Sequence, residues 1–132
     1  MMVLATDAPL NARSLDRIAM RGIMGLARTG SFASNGSGDY VIAFSTDPDV
    51  RRPRSSDTPV TTPSLVNESM SPLFAAAEAT EEAIYNALLK ATTVHSSRGT
   101  LEAIPIGDLK RLLKKYRVLG WNDSISPRHS SR

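Results

Sequence analysis

The sequence contains no cysteine. That excludes disulfides, thiolate metal sites and a cysteine nucleophile. Aromatic residues are scarce, at 5% with a single tryptophan. None interleave with basic side chains in the way that stacking platforms for single-stranded nucleic acid do. Only two histidines occur, His95 and His129. They are far apart and face no carboxylate cluster, so no metal-ligand spacing appears. No stretch approaches the ~20 apolar residues of a membrane-crossing helix. There is no P-loop, no dinucleotide fingerprint and no G-x-S-x-G elbow. The start, MMVLATDAP, has no charged residue ahead of its short apolar run and does not read as a secretory signal. A cytoplasmic chain that uses no cofactor and binds neither membrane nor nucleic acid is therefore expected.

What is present is ordinary for a globular chain. Of the 132 residues, 41% are apolar and 22% charged. The net charge of +3 is scattered. Arg51, Arg52 and Arg54 fall in a Pro/Ser/Thr-rich stretch, and Lys110, Arg111, Lys114, Lys115 and Arg117 share one short helix. This is the pattern of solvated charge rather than of a nucleic-acid footprint.

Met1–Thr6 is a continuous apolar run and predicts a strand buried on both faces. After Asn11 the period changes. Leu15, Ile18, Ala19, Gly22, Ile23 and Leu26 recur at steps of three and four, which places them on one helical face with Asn11 as N-cap. Gly22 and Gly25 cost a helix about 1 kcal/mol each against alanine, so a close neighbour is required to justify them. Residues 28–38, RTGSFASNGSG, hold three glycines and three serines and predict a loop. Tyr40–Phe44 then reads as a second strand buried on both faces. Four prolines between Asp47 and Asn67 mark a long flexible loop. Ser71-Pro72 predicts a helix start with Ser71 as N-cap, and Phe74, Ala77, Ile84 and Leu88 form its buried stripe. Glu81 lies at the edge of that stripe, within reach of an arginine partner, though an edge position with its carboxylate in water is the expectation. Thr92–Gly99 reads as a loop, Leu101–Ile104 as a short strand and Asp108–Tyr116 as a last helix. The expectation is one α/β domain over residues 1–119, with 47–67 flexible and 120–132 a disordered tail.

Chemistry concentrates in SNGSGDY, residues 34–40. Ser37 supplies a hydroxyl and Asp39 a carboxylate, and two residues apart in an extended segment they point to the same side. Gly36 and Gly38 let backbone approach a ligand. The same pattern also fits a plain turn with local side chain to backbone bonds. His95 in a Ser/Thr-rich loop reads as a solvated histidine, and His129 lies in the tail.

Several segments occur together in a characteristic order. They are ATDAPL at 5–10, GLARTGS at 25–31, NGSGD at 35–39, AFST at 43–46, EATEEAIYNALLKAT at 78–92 and TLEAIP at 100–105. On these the chain resembles the DmpA-type L-aminopeptidase/D-esterase family, which includes the β-peptidyl aminopeptidases. The resemblance covers residues 1–116 apart from 47–67. It implies half of an αββα sandwich related to the N-terminal-nucleophile hydrolases, with a mixed sheet and packed helices. It also implies a precursor that cuts its own backbone at a Gly-Ser bond and uses the freed serine as nucleophile, with that serine's α-amine as base. Substrates would be peptides, amides or esters with a free N-terminal amine.

By the spacing to ATDAPL that serine would stand about two residues before Met1. Met1 is then an internal methionine of a longer precursor, a misassigned start or the start of a degenerate copy. Ser37 and Asp39 match family positions close to the nucleophile, so the resemblance implies catalytic roles for both. Gly36 and Gly38, whose backbone can approach a ligand, are the candidate substrate-binding positions. A larger subunit of the same precursor and a homo-oligomer are the implied partners, and the chain alone is expected to be inactive. The alternative is a catalytically dead relative that acts as a binding or partner subunit.

Overall fold

The computed structural model describes residues 1–51 and 64–119. They fall into two compact units that divide after Asn86. The first unit begins with β1 (Met2–Thr6), followed by α1 (Ala12–Arg28) and β2 (Val41–Ser45). β1 and β2 pair in parallel, with Met2 opposite Val41 and Thr6 opposite Ser45. A parallel pair needs a long crossover, and α1 provides it.

α1 begins where the sequence predicts. The Asn11 side chain accepts a hydrogen bond of 2.9 Å from Ser14 N–H, which satisfies one of the helix's unpaired donors. Its apolar stripe covers one face of the sheet. Gly22 makes that approach close, since a Cβ there would lie 3.2 Å from Val41 Cγ1 and 3.3 Å from Leu4 Cδ1. Gly25 turns toward a different neighbour. A Cβ on it would meet the Ala77 carbonyl oxygen and would stand 2.8 Å from Thr80 Cβ. The two glycines thus admit a sheet and a helix respectively.

The strands are covered on one face only, which corrects the expectation of two buried faces. Side chains alternate along each strand. Met2, Leu4, Val41 and Ala43 are half-buried beneath α1, while Val3, Ala5, Ile42 and Phe44 are exposed. Val3 retains 56% of its accessible surface, Ile42 53% and Phe44 43%. Within the first unit that second face is left largely open, so the apolar composition of the strands outruns the burial they receive there.

At their carboxyl ends the strands are tied by side chains from the matched motifs. Ser45 Oγ donates to the Ala8 carbonyl at 2.7 Å, and Thr46 N–H donates to the Thr6 carbonyl at 2.7 Å. Thr6 Oγ1 accepts from Ala8 N–H at 3.1 Å and turns the chain toward α1. The ATDAPL and AFST segments therefore build the end of the sheet opposite SNGSGDY.

Much of the expected 47–67 loop, residues 52–63, lies outside the described residues, as does the expected tail at 120–132. Both ends of the 47–67 segment are ordered. Asp47 accepts from Asp49 N–H at 2.8 Å and caps a short 3-10 turn, Pro48–Val50. Leu65 N–H donates to the Pro9 carbonyl at 2.9 Å, Ser64 Oγ accepts from Asn11 N–H at 3.1 Å, and Arg17 donates to Asn67 Oδ1 at 2.6 Å.

The next helix departs from expectation at its start. Asn67–Ala75 is 3-10 and only Ala76–Leu89, here α2, is α-helical, so Ser71 is not an N-cap. Pro72 has no N–H to donate to an i−4 carbonyl and disfavours α geometry at the residue before it, so the α pattern is established only beyond it. The 3-10 segment delivers Met70 to the core, where it is fully buried with Leu10 and Ile18. Phe74 packs beside this cluster, with the Arg17 and Arg21 guanidinium carbons 5.2 and 4.2 Å from its ring centroid. Of the expected α2 stripe, Ala77 and Ile84 are half-buried, but Leu88 is exposed and Thr80 is the buried residue. Thr80 Oγ1 is satisfied by the Ala76 carbonyl at 2.7 Å.

The second unit holds an antiparallel hairpin, β3 (Val94–Ser96) with β4 (Gly99–Leu101), and α3 (Ile106–Lys115). The stretch expected to be a loop is thus half strand, and the expected strand at 101–104 begins two residues earlier. Gly99, at φ +128°, permits the tight reversal. α3 starts directly after Pro105, which occupies the N-cap with extended backbone. Asp108 in its first turn and Lys114 and Lys115 in its last complement the helix dipole.

Candidate active site

Ser34 to Ser37 form a β-turn closed by Ser37 N–H donating to the Ser34 carbonyl at 2.8 Å. Gly36, at φ +91°, sits where a type II turn requires positive φ. This turn sends Ser37 and Asp39 to one side. Ser37 Oγ donates to Asp39 Oδ2 at 2.5 Å, the short separation of a charge-assisted O–H···O⁻ bond. The pair that the sequence places two apart is therefore a bonded pair, although both residues are exposed.

The pair stands at the amino end of the sheet. Asp39 and Tyr40 lead into β2, and the Tyr40 carbonyl accepts from Met2 N–H at 2.8 Å. The beginning of β1 is thereby held next to the residue after Asp39. Met1 and Asp39 line the same open cleft of about 660 Å³, together with Asp16, Met20, Ile23 and Tyr40. Its walls are mainly apolar, with carboxylates from α1 and from the turn. Sequence reasoning missed Asp16, Met20, Ile23 and Tyr40 as cleft residues. The first three follow the i, i+4, i+7 spacing of one flank of α1, but only the position of β2 makes that flank a cleft wall.

Gly38 is constrained differently from Gly36. A Cβ at position 38 would lie 3.3 Å from Tyr40 Cε2, tight enough that the ring would have to give by a few tenths of an ångström. Nearby, Arg28 at the end of α1 donates through Nε to Glu81 Oε2 at 2.8 Å and approaches Glu78 Oε1 at 3.9 Å. The expectation that Glu81 keeps its head in water is corrected, since its side chain retains only 22% of its exposure. His95 lies on β3 with Nδ1 2.9 Å from Thr100 Oγ1. His129 lies outside the described residues. Among the described residues no three histidine or acidic side chains gather as a metal site needs.

The sequence profile of Peptidase family S58 matches residues 1–101, including both members of the Ser37–Asp39 pair. The chain belongs to Peptidase family S58. Known proteins are similar to it in sequence and in structure. Beta-peptidyl aminopeptidase BapA of Sphingosinicella microcystinivorans is 41% identical over 121 residues, covering 89% of this chain and 30% of the relative. A solved protein of Pyrococcus horikoshii superposes with a TM-score of 0.75 at 43% identity, over 88% of this chain and 33% of that one. The L-aminopeptidase D-Ala-esterase/amidase of Ochrobactrum anthropi, described as a prototype for the serine aminopeptidases and a variant of the Ntn hydrolase fold, also gives 0.75, at 33% identity over 88% of this chain and 33% of that one. The S58 chain described here therefore spans about a third of the length of these relatives, and its α/β layers are those of that fold.

Proposed function

We propose that this chain forms the small-subunit-like part of a self-processing serine aminopeptidase that removes N-terminal residues from peptides, amides or esters. The observation that carries the reading is the bonded Ser37–Asp39 pair beside the first residues of β1. Membership of Peptidase family S58 supplies the reaction class. In this reading the attacking hydroxyl belongs to a serine about two residues ahead of Met1, at the lip of the cleft. Its α-amine takes up the hydroxyl proton, since an unperturbed α-amino group has a pKa of about 7.7–8.0 and accepts a proton at neutral pH. With its single proton donated to Asp39, Ser37 would act as an acceptor for that serine's hydroxyl. Asp39 restrains Ser37 and presents negative charge to the substrate's ammonium group. The oxyanion donors and most of the substrate pocket come from the larger subunit.

The same reading gives an occupant to the uncovered sheet face. Val3, Ala5, Ile42 and Phe44 form one contiguous apolar surface across paired strands, because Val3 is in register with Ile42 and Ala5 with Phe44. The larger subunit would cover it as the second sheet of the sandwich.

The test uses the complete precursor. Ser37→Ala and Asp39→Asn are expected to impair self-cleavage or p-nitroanilide turnover by about 10- to 100-fold while leaving the thermal transition in place. Wild-type processing and turnover in both variants would remove the basis for the site. The 132-residue chain alone is expected to show no hydrolysis, and turnover by it would mean that the nucleophile lies within these residues.

A further inference from the structure

We propose that Tyr40 is a positioning residue that fixes the Ser37–Asp39 pair relative to the start of β1. The inference rests on the aminopeptidase reading and deepens it. Three observations meet at this residue. Its carbonyl accepts from Met2 N–H at 2.8 Å, so Tyr40 is the point where the strand beginning is pinned to the turn. Its ring lies over Gly38, with Cε2 3.3 Å and Oη 3.7 Å from where a Cβ would be. The residue lines the cleft that Met1 and Asp39 share.

Gly38 is the single residue between Ser37 and Asp39. The ring lies against it from the solvent side, with Tyr40 itself 66% exposed, and this contact limits how the backbone that carries both functional side chains can move. Ser37 and Asp39 are exposed, and packing from elsewhere in the described chain does little to hold them. Gly38 has no positive φ that would itself demand glycine. A Cβ at position 38 would press on the ring, which would have to give by a few tenths of an ångström. The contact is made mainly by ring carbon, so phenylalanine should serve in place of tyrosine. A misplacement on the order of 1 Å at a reacting group costs up to about a hundredfold in rate, so loss of this buttress should appear in kcat.

The test measures p-nitroanilide turnover by the complete precursor, with kcat expressed per self-cleaved chain. Tyr40→Phe is expected to stay within about twofold of wild type, and Tyr40→Ala to lose roughly tenfold in kcat with little change in KM. Gly38→Ala, which displaces the ring by a few tenths of an ångström, should lower kcat less than Tyr40→Ala does and cost nothing further in the Tyr40→Ala background, because the contact disappears with the ring. A merely structural role would lower the yield of cleaved chain and leave kcat per cleaved chain unchanged, and that result overturns the proposal, as would strictly additive effects of the two substitutions. If Tyr40→Ala gives no folded protein, Tyr40→Leu takes its place with the same two outcomes. Ser37→Ala run in parallel separates the two levels. Its wild-type turnover would bring down the aminopeptidase reading itself, whereas loss in Ser37→Ala with full kcat in Tyr40→Ala would bring down only the role of Tyr40.

Discussion

Gly25 of α1 stands so near Thr80 of α2 that a Cβ at position 25 would lie 2.8 Å from the threonine Cβ. The Ala77 carbonyl crowds the same point. Neither a buried Cβ nor a helix carbonyl can swing aside as a long side chain does. Gly25→Ala is therefore expected to destabilise the first unit by about 1–3 kcal/mol, after the helix-propensity gain of up to about 1 kcal/mol is counted. Gly22→Ala meets only the methyl ends of Val41 and Leu4, at 3.2 and 3.3 Å, and should fall within about 1 kcal/mol of wild type. Urea unfolding of the two variants checks the contrast, and equal losses would contradict it.

The start of α1 offers a second test. Asn11 caps the helix through Ser14 N–H, and its own N–H donates to Ser64 Oγ. Asn11→Ala removes the side-chain acceptor and should cost about 1 kcal/mol, with most of that recovered in Asn11→Ser. Thermal melts of the three proteins give the order directly. A stable Asn11→Ala protein would mean that water replaces the cap without cost.

The Arg28–Glu81 pair joins the end of α1 to α2. Its nitrogen to oxygen distance is 2.8 Å, but the Arg28 side chain keeps 51% of its exposure. Half-exposed pairs are screened by solvent and salt, so a double-mutant cycle on Arg28→Ala and Glu81→Gln should return a coupling of about 0.2–1 kcal/mol. The coupling should shrink between 0.05 and 0.5 M salt, roughly as screening predicts. A larger, salt-independent value would show that the pair is drier than its exposure implies.

The uncovered face of β1 and β2 should govern behaviour in solution. Contiguous exposed apolar surface promotes association. The 132-residue chain by itself is expected to self-associate, and Ile42→Thr with Phe44→Thr should shift it toward monomer in sedimentation. If the proposed larger subunit docks on this face, the same pair of substitutions should lower the yield of the assembled form. A monodisperse wild-type chain would count against any docking role for this face.

Part of the local geometry of the candidate site was legible in the sequence. The spacing of Ser37 and Asp39 pointed to a shared side, and the two are bonded. Asn11 announced the helix start, and Gly22 and Gly25 announced close neighbours without saying which. The readings that failed share a cause. The apolar run of β1 could not reveal that one face lies bare, because burial depends on what packs opposite. The 3-10 start of the helix at Asn67 was hidden by Ser71-Pro72, a pair that mimics an N-terminus wherever it occurs. The hairpin at Val94–Leu101 has no apolar alternation and rests on pairing between strands three residues long.

The sequence by itself determined the local choices: where α1 begins, that SNGSGDY turns, that Ser37 and Asp39 face one way, and that the chain carries the motifs of its peptidase family. Those features depend on φ/ψ preferences and on side chains a few residues apart. Only the tertiary structure decided that the turn stands beside the first residues of β1, that Tyr40 covers Gly38, and that Gly25 opens onto α2 rather than onto the sheet. Such placements are set by pairing and packing between segments tens of residues apart, and a linear pattern carries no measure of that distance.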